Sequence, residues 1–293
     1  MDAAIRIERA LTKALSRPAD DTDAGAGPPG LDKAIRHAVF PAGGRIRPRL
    51  TLAVARACGD ARSPLVDAAA ASIELLHCAS LVHDDLPCFD DAATRRGRPS
   101  VHAAFGERLA VLVGDALIVL AFESLARAGS SAASRLPRVL RVVARGVGLP
   151  GGIVAGQAWE CEPRIELSEY HRAKTGALFA AATAAGAAAA GRDPSGWHTL
   201  GDRIGEAYQV ADDLRDVVCD AATLGKPVHQ DATLGRPNAV AQLGVSGAIA
   251  RLNELIAEAV ASIPSCPGAA ELRAQVLQET GRLLPRELAR PAA

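Results

Sequence analysis

Two groups of aspartates are the residues in this chain best placed to do chemistry. The first is HDDLPCFDD, carrying Asp84, Asp85, Asp90 and Asp91 at the end of an apolar stretch. The second is QVADDLRD, carrying Gln209, Asp212, Asp213 and Asp216. Positions 209, 212, 213 and 216 follow i, i+3, i+4, i+7 spacing, so they project from one helix face, which would otherwise be core. Three carboxylates on one such face repel unless a cation lies between them. Oxygen ligands without His or Cys suit magnesium, which keeps waters and completes its octahedron with substrate phosphates. The first group departs from simple helix geometry. Asp90 lies about a third of a turn off the face of Asp84, and Pro87 intervenes. The helix is therefore expected to break near Pro87, with a loop bringing Asp90 back toward the metal.

Aspartate is common at helix ends, so either group alone fits a solvated terminus. Basic residues elsewhere weigh against that for the pair. They are Arg45 and Arg47 in GGRIRP, Arg95, Arg96 and Arg98 in ATRRGRP, Lys174 beside Thr175 in HRAKTG, and Lys226 and Arg236 in LGKP…LGRP. Arginine presents a planar fork that matches phosphate oxygens, and lysine a mobile point charge. With two acidic metal sites, they describe a pocket for substrates bearing about three negative charges each.

The elements that must hold these residues read as helices. Residues 18–30 are a flexible loop after a first, peripheral helix. Ser63-Pro64 has a capping hydroxyl followed by a proline at the first turn, opening a helix that runs to the first aspartates. Val101–Arg127 is a second long helical stretch and Leu149–Glu162 a shorter one. Ser168 is a candidate cap for a helix through the Ala-rich run 177–191. Asp193-Pro194 opens the helix that reaches Asp216. Residues 220–238, rich in Gly, Pro and Asp, must be a loop. Helical patterns return over Ala239–Ile263 and Ala269–Leu284, parted by Pro264 and Pro267. No alternating strand and no internal repeat stands out. The fold class is all-α, one large helical bundle over residues 1–293.

Composition agrees with that reading. Hydrophobic residues make up 49% and aromatics only 3%, so the core is built from Leu, Val, Ile and Ala. A formal net charge of +0 gives no sign of a nucleic-acid partner or a basic membrane-binding face. The six cysteines include no CxxC pair and read as reduced, small hydrophobes in a cytoplasmic protein. The Ala-rich run is too short and too small in its residues for a membrane span. It reads as a closely packed helix.

At this point a family resemblance is visible. HDDLPCFDDAATRRGRPSVHAAFGE resembles the first aspartate-rich motif of trans-prenyl diphosphate synthases, and QVADDLRDVVCDAATLGKP the second. GGRIRP, ELLHCASLVHDD, GGIVAGQ and HRAKTGAL fall in the family's order and spacing, over roughly residues 35–240. The Pro-Cys inside the first motif, two residues longer than the short form, resembles the farnesyl and geranylgeranyl branch. The resemblance implies the isoprenoid synthase bundle with a central apolar cavity, a homodimer, and condensation of isopentenyl diphosphate with an allylic diphosphate. It implies that Asp84, Asp85 and Asp90 hold two magnesium ions, and Asp212, with Asp213 and Asp216 nearby, a third. Arg95, Lys174 and Lys226 would grip the allylic diphosphate, and Arg236 retains charge where the family has lysine. Arg47, His77 and Arg96 would hold isopentenyl diphosphate. Lys174, Thr175 and Gln209 would turn oxygen dipoles toward the allylic carbon. The departing diphosphate would take the final proton, since no His or Glu is placed as a dedicated base.

Departures and small residues sharpen the expectations. Gly44 stands where the family usually has a lysine that binds isopentenyl diphosphate, and neighbouring Arg45 is expected to substitute in part. Gln230 also replaces a family lysine. Ala79 lies five residues before Asp84, about 7.5 Å down the helix axis. Ala79 and Ser80 are small where relatives making a fifteen-carbon product carry an aromatic, so a twenty-carbon product is expected, as in bacterial carotenoid pathways. The alternative is a floor supplied by another helix, with Phe122 a candidate. Farnesyl diphosphate synthesis stays open, as does a silent subunit of a partner synthase, although both aspartate motifs are intact. A terpene cyclase of the same fold would have no use for an isopentenyl site.

Overall fold

The computed structural model describes residues 2–16, 27–40, 43–60, 62–164, 169–170, 172–218, 238–281 and 283. Lys226, Gln230, Arg236 and Ser168 lie outside them. Almost every described element is a helix, and the all-α expectation holds.

The bundle is organised around α4 (Pro64–Asp84), which begins as expected, with Ser63 Oγ accepting from the Leu65 amide and Pro64 in the first turn. It is apolar all round, and an all-round apolar helix is stable only inside a core. It packs against α3 (Ile46–Ala57), α6 (Glu107–Gly129), α1 (Ala3–Leu15) and α9 (Ala177–Ala189). The one acid buried in its middle, Glu74, meets Arg45 Nη1 at 2.7 Å.

The Ala-rich run forms α9 and is buried over nearly its whole length. Its small residues let neighbours approach closely. A Cβ on Gly186 would lie 2.4 Å from the Thr51 carbonyl oxygen, and one on Gly146 2.3 Å from Ala181 Cβ. Close packing, the expectation for this run, is its role.

Two local readings need correction. The first helix is not peripheral: Ile7, Leu11 and Ala14 of α1 recur at i, i+4, i+7 and are buried in the main core. Arg127 donates to the carbonyls of Ala14 and Ser16, closing the helix end. The stretch 101–127 is two helices, α5 (Val101–Phe105) and α6, because Gly106 between them has φ 86°.

The remaining helices are α2 (Pro29–Val39), α7 (Leu136–Val147), α8 (Ile153–Ala158), α10 (His198–Val218), α11 (Ala239–Ala261) and α12 (Ala269–Thr280). A two-residue antiparallel pair, β1 (Thr94–Arg95) and β2 (Arg98–Pro99), forms the one described sheet. Helices α4 and α6 are long and apolar enough to cross a membrane by length and composition. The first is mostly buried, whereas α6 keeps one apolar face open, with Val111, Leu112 and Val119 exposed.

Candidate active site

Helix α4 ends at Asp84 because Pro87 follows and the chain turns back on itself. The amide of Asp90 donates to the Asp84 carbonyl at 3.0 Å and that of Ala92 to the Asp85 carbonyl at 3.2 Å. The loop expected from Pro87 thus returns Asp90 to the helix end, and Asp90's charge is felt at the Asp84 carboxyl. Burial pushes the Asp84 carboxyl above the ordinary range, Lys174 opposes this, and Asp90 adds to it. His83, just before, lies so close to α6 that a Cβ on Gly114 would fall 1.9 Å from its Nε2. That contact fixes the end of α4 against α6.

Below the first motif lies a cavity of about 590 Å³, within the usual range for a small-molecule site. Asp84 of α4 and Asp212 of α10 both line it, with Lys174, Thr175 and Gln209 between them. Arg47 and His77 line it from α3 and α4. Deeper, Leu76, Ala79 and Ser80 of α4 face Ile118, Val147 and Leu178. Phe122, the candidate for closing the pocket from another helix, is not in the lining; Ile118, one turn away on α6, is.

Lys174 and Thr175 reach the cavity from a π-helical turn, Arg172–Gly176, that precedes α9. Such wide turns are frequent at functional sites because they re-aim side chains. Gly156 of α8 lies against this turn, where a Cβ would be 2.4 Å from the Lys174 nitrogen. Lys174 Nζ is 2.5 Å from Glu160 and 3.4 Å from Asp84. The Tyr170 hydroxyl donates to the same Glu160 oxygen at 2.6 Å. The sequence reading missed Glu160 and Tyr170. Glu160 follows Gln157 of GGIVAGQ by three residues, a spacing that puts both on one helix side.

The second motif divides its labour. The Thr175 hydroxyl donates to Gln209 Oε1 at 3.2 Å, and Gln209 Nε2 donates to Asp213 Oδ1 at 3.0 Å. The other Asp213 oxygen accepts from the Ala239 amide at 2.7 Å, at the first residue of α11. Asp213 is therefore buried between the Gln209 amide, which it orients, and the first amide of α11, a helix capped by Asn238. Asp212 faces the cavity and meets Arg215 at 3.1 Å, and Asp216 is half-buried one turn on.

Asp85 and Arg95 are paired with each other, Nε to Oδ1 at 2.9 Å, and line a small recess behind the cavity together with Arg96. Burial raises the Asp85 carboxyl and Arg95 partly offsets it. Arg47 lies over the Phe179 ring at 4.1 Å, and burial lowers its guanidinium. Burial, with Arg47 and Arg96 nearby, drives His77 well below its usual range, so it is neutral and can donate from one ring nitrogen. Arg45 is not free to replace the lysine expected at 44. Its guanidinium is buried between Glu74, Glu8 at 3.0 Å and the Val39 carbonyl at 2.8 Å. Among the described residues no three Asp, Glu, His or Cys side chains converge as a ready-made metal cage.

Two separated carboxylate motifs flank one apolar cavity, with a Lys-Thr turn between them, and residues 28–270 of the chain match the family model "Polyprenyl synthetase". The chain belongs to the polyprenyl synthetase family. It is 55% identical to the geranylgeranyl diphosphate synthase of Cereibacter sphaeroides over 97% of each chain. It is 52% identical to the enzyme of the same name from Rhodobacter capsulatus over 93% of each. A geranyltransferase of Helicobacter pylori, crystallised with magnesium and isoprenyl diphosphate, is 30% identical with a TM-score of 0.79, covering 96% of both chains. As a polyprenyl synthetase, the chain is a prenyl-transferring enzyme of the isoprenoid synthase fold.

Proposed function

We propose that this enzyme makes geranylgeranyl diphosphate from isopentenyl diphosphate and an allylic diphosphate, with magnesium, as a cytoplasmic homodimer. The observation that carries the reading is the cavity itself. Its mouth bears Asp84 and Asp212, and its wall below them is apolar and set with Ala79 and Ser80.

The donor set fits magnesium. Carboxylates lie close enough for Asp90 to raise Asp84, and carboxylate oxygens are the ligands that magnesium takes beside phosphate oxygens. Asp84, Asp85 and Asp90 would hold two ions and Asp212, with Asp216, a third. Bound magnesium would supply charge stabilisation to the departing diphosphate. Lys174, now shared by Glu160 and Asp84, adds its charge there, and Arg95 leaves Asp85 for the same diphosphate. Lys226 and Arg236, outside the described residues, are assigned to the same diphosphate by the family resemblance alone. Thr175 and Gln209 turn oxygen atoms toward the allylic carbon, held in register by Asp213. Neutral His77, with Arg47 and Arg96, orients isopentenyl diphosphate so that its double bond meets that carbon. The apolar wall excludes water while the new bond forms and a proton leaves. The open apolar face of α6, with Val111, Leu112 and Val119, supports a symmetric pairing of two copies.

The test is incubation of pure protein with both diphosphates and magnesium, followed by sizing of the dephosphorylated alcohols. A twenty-carbon alcohol is expected. A product that stops at fifteen carbons, or none, overturns the reading.

Gly44 gives a narrower expectation. It is exposed, and a Cβ there would meet only Ile46 at 3.4 Å, so a side chain can be added. Arg45, locked to Glu74, does not stand in for the absent charge. Gly44→Lys should lower KM for isopentenyl diphosphate by about tenfold, the equivalent of one charge-assisted hydrogen bond, and leave KM for the allylic partner alone. An unchanged KM for isopentenyl diphosphate would show that the site already compensates.

A further inference from the structure

His37 on α2 and Arg98 on β2 line the recess behind the cavity; Arg98, one of the basic residues counted toward the phosphate pocket in the sequence, is not in the cavity lining, and neither is His37. We propose that they are positioning residues, which lock the hairpin bearing Arg95 and Arg96 onto α2 and so set the grip on the substrates' diphosphates. This rests on the role given above to Arg95 and Arg96.

The hairpin has little to hold it by itself. Its ladder is two residue pairs, Thr94 with Pro99 and Arg95 with Arg98. An isolated two-stranded hairpin is marginal in water even when longer. Its turn demands positive φ at both central residues, Arg96 at 54° and Gly97 at 72°, and the first of these is unfavourable for a side chain with a Cβ. Arg96 and Gly97 are exposed, so apolar burial does not anchor the tip.

Polar contacts anchor it instead, at both ends of one rung. Arg95 is tied to Asp85. Across the ladder, Arg98 Nη1 donates to the Phe40 carbonyl at 2.9 Å, and its Nη2 lies 2.9 Å from His37 Nδ1. His37 Nε2 lies 2.8 Å from the Pro99 carbonyl oxygen. Guanidinium nitrogens only donate, so Nδ1 must accept and the ring proton must sit on Nε2, where it meets a carbonyl that only accepts. One neutral tautomer satisfies both bonds. The ring is also held edge-on to Phe105, with centroids 5.2 Å apart at 72°.

The strut has a further consequence for Arg96. A Cβ on Gly43 would lie 2.5 Å from Arg96 Cζ, so the Arg96 guanidinium rests against the segment between α2 and α3. Phe40, which Arg98 grips, belongs to that same segment. The His37–Arg98 pair therefore sets the hairpin's distance from the backbone that Arg96 leans on.

The test measures binding of inorganic diphosphate with magnesium by calorimetry, together with steady-state kinetics and melting, for the full-length chain. Variants are His37→Ala, Arg98→Ala, the double variant, and Arg98→Lys, which keeps the charge but offers one nitrogen where the fork reaches its two acceptors from two. Expected is a diphosphate affinity weaker by about fivefold in each single variant, no further loss in the double, and no rescue by lysine. KM for both substrates should rise in parallel while kcat stays within about twofold. Should one alanine variant fail to fold, Arg98→Lys and the other alanine variant still decide the matter. Wild-type affinity in melting-destabilised variants would reduce the pair to a surface strut and overturn the inference, as would additive losses in the double variant. Wild-type protein that binds diphosphate but makes no prenyl product would instead overturn the proposed function, with the affinity comparison still deciding the role of His37 and Arg98.

Discussion

Asp84→Ala and Asp212→Ala each lower turnover by about 10²–10³-fold or more, the scale of losing a preorganised electrostatic contact in a water-poor site, with the fold intact. These carboxylates come from helices α4 and α10, yet they line one cavity, with Lys174 reaching Asp84 across it. Each substitution removes a ligand oxygen where magnesium and diphosphate would meet. Stability should not follow activity down. Asp84 sits at the C-terminal end of α4, where a negative charge opposes the helix dipole. Its carboxyl is raised in the fold, so the folded state binds the proton more tightly than the unfolded one, and the ligand-free protein gains stability as pH falls through that raised value. Removing Asp84 should therefore leave the melting temperature equal or higher at neutral pH. Asp213→Ala should do the reverse. It removes the acceptor of the Ala239 amide at the start of α11, which Asn238 still caps, and the partner of Gln209, costing about 1 kcal/mol and a few degrees of melting temperature. Activity assays beside melting curves separate the three. Full activity in EDTA, or in both the Asp84 and Asp212 variants, would sink the metal reading.

The second large effect is on product length. Ala79 is buried, lines the cavity, and lies more than one helical turn below Asp84. Leu76, a turn deeper still, and Ile118, Val147 and Leu178 from three other helices also line the wall. The small side chain at 79 is therefore where α4 leaves the channel open. Ala79→Tyr should place a ring across it, moving the product from twenty carbons to fifteen while activity persists. The phenol would stand in an apolar wall beside Ser80, whose hydroxyl already donates to the His77 carbonyl, so some loss of stability is expected. Chromatography of the dephosphorylated products reads the outcome. If the wild type stops at fifteen carbons, or the variant's product is unchanged, position 79 does not set the length.

Much of this molecule was legible in one dimension. Ser63-Pro64 announces the start of α4 and Pro87 its end, because a cap and a proline act through the nearest turn alone. The aspartate motifs show themselves because charges in apolar helices are conspicuous wherever the helices go. The low aromatic content and the Ala-rich run foretold close helix packing, since small side chains are what permit it. Pairings between distant segments were not legible. Nothing near Arg45 predicts that it is spent on Glu74, 29 residues away, rather than left for substrate. Asp212 and Asp213 are adjacent and chemically identical in the sequence. One faces the cavity and the other accepts the first amide of α11, because the arrival of Ala239 gives one of them a backbone amide to bond. Glu160, Tyr170 and the His37–Arg98 strut were hidden for the same reason: each matters only through a partner that the fold brings to it. Local rules acting within a turn or two are written in the sequence, whereas which charge meets which is decided by packing, where burial makes each polar group take whatever partner lies within about 3 Å.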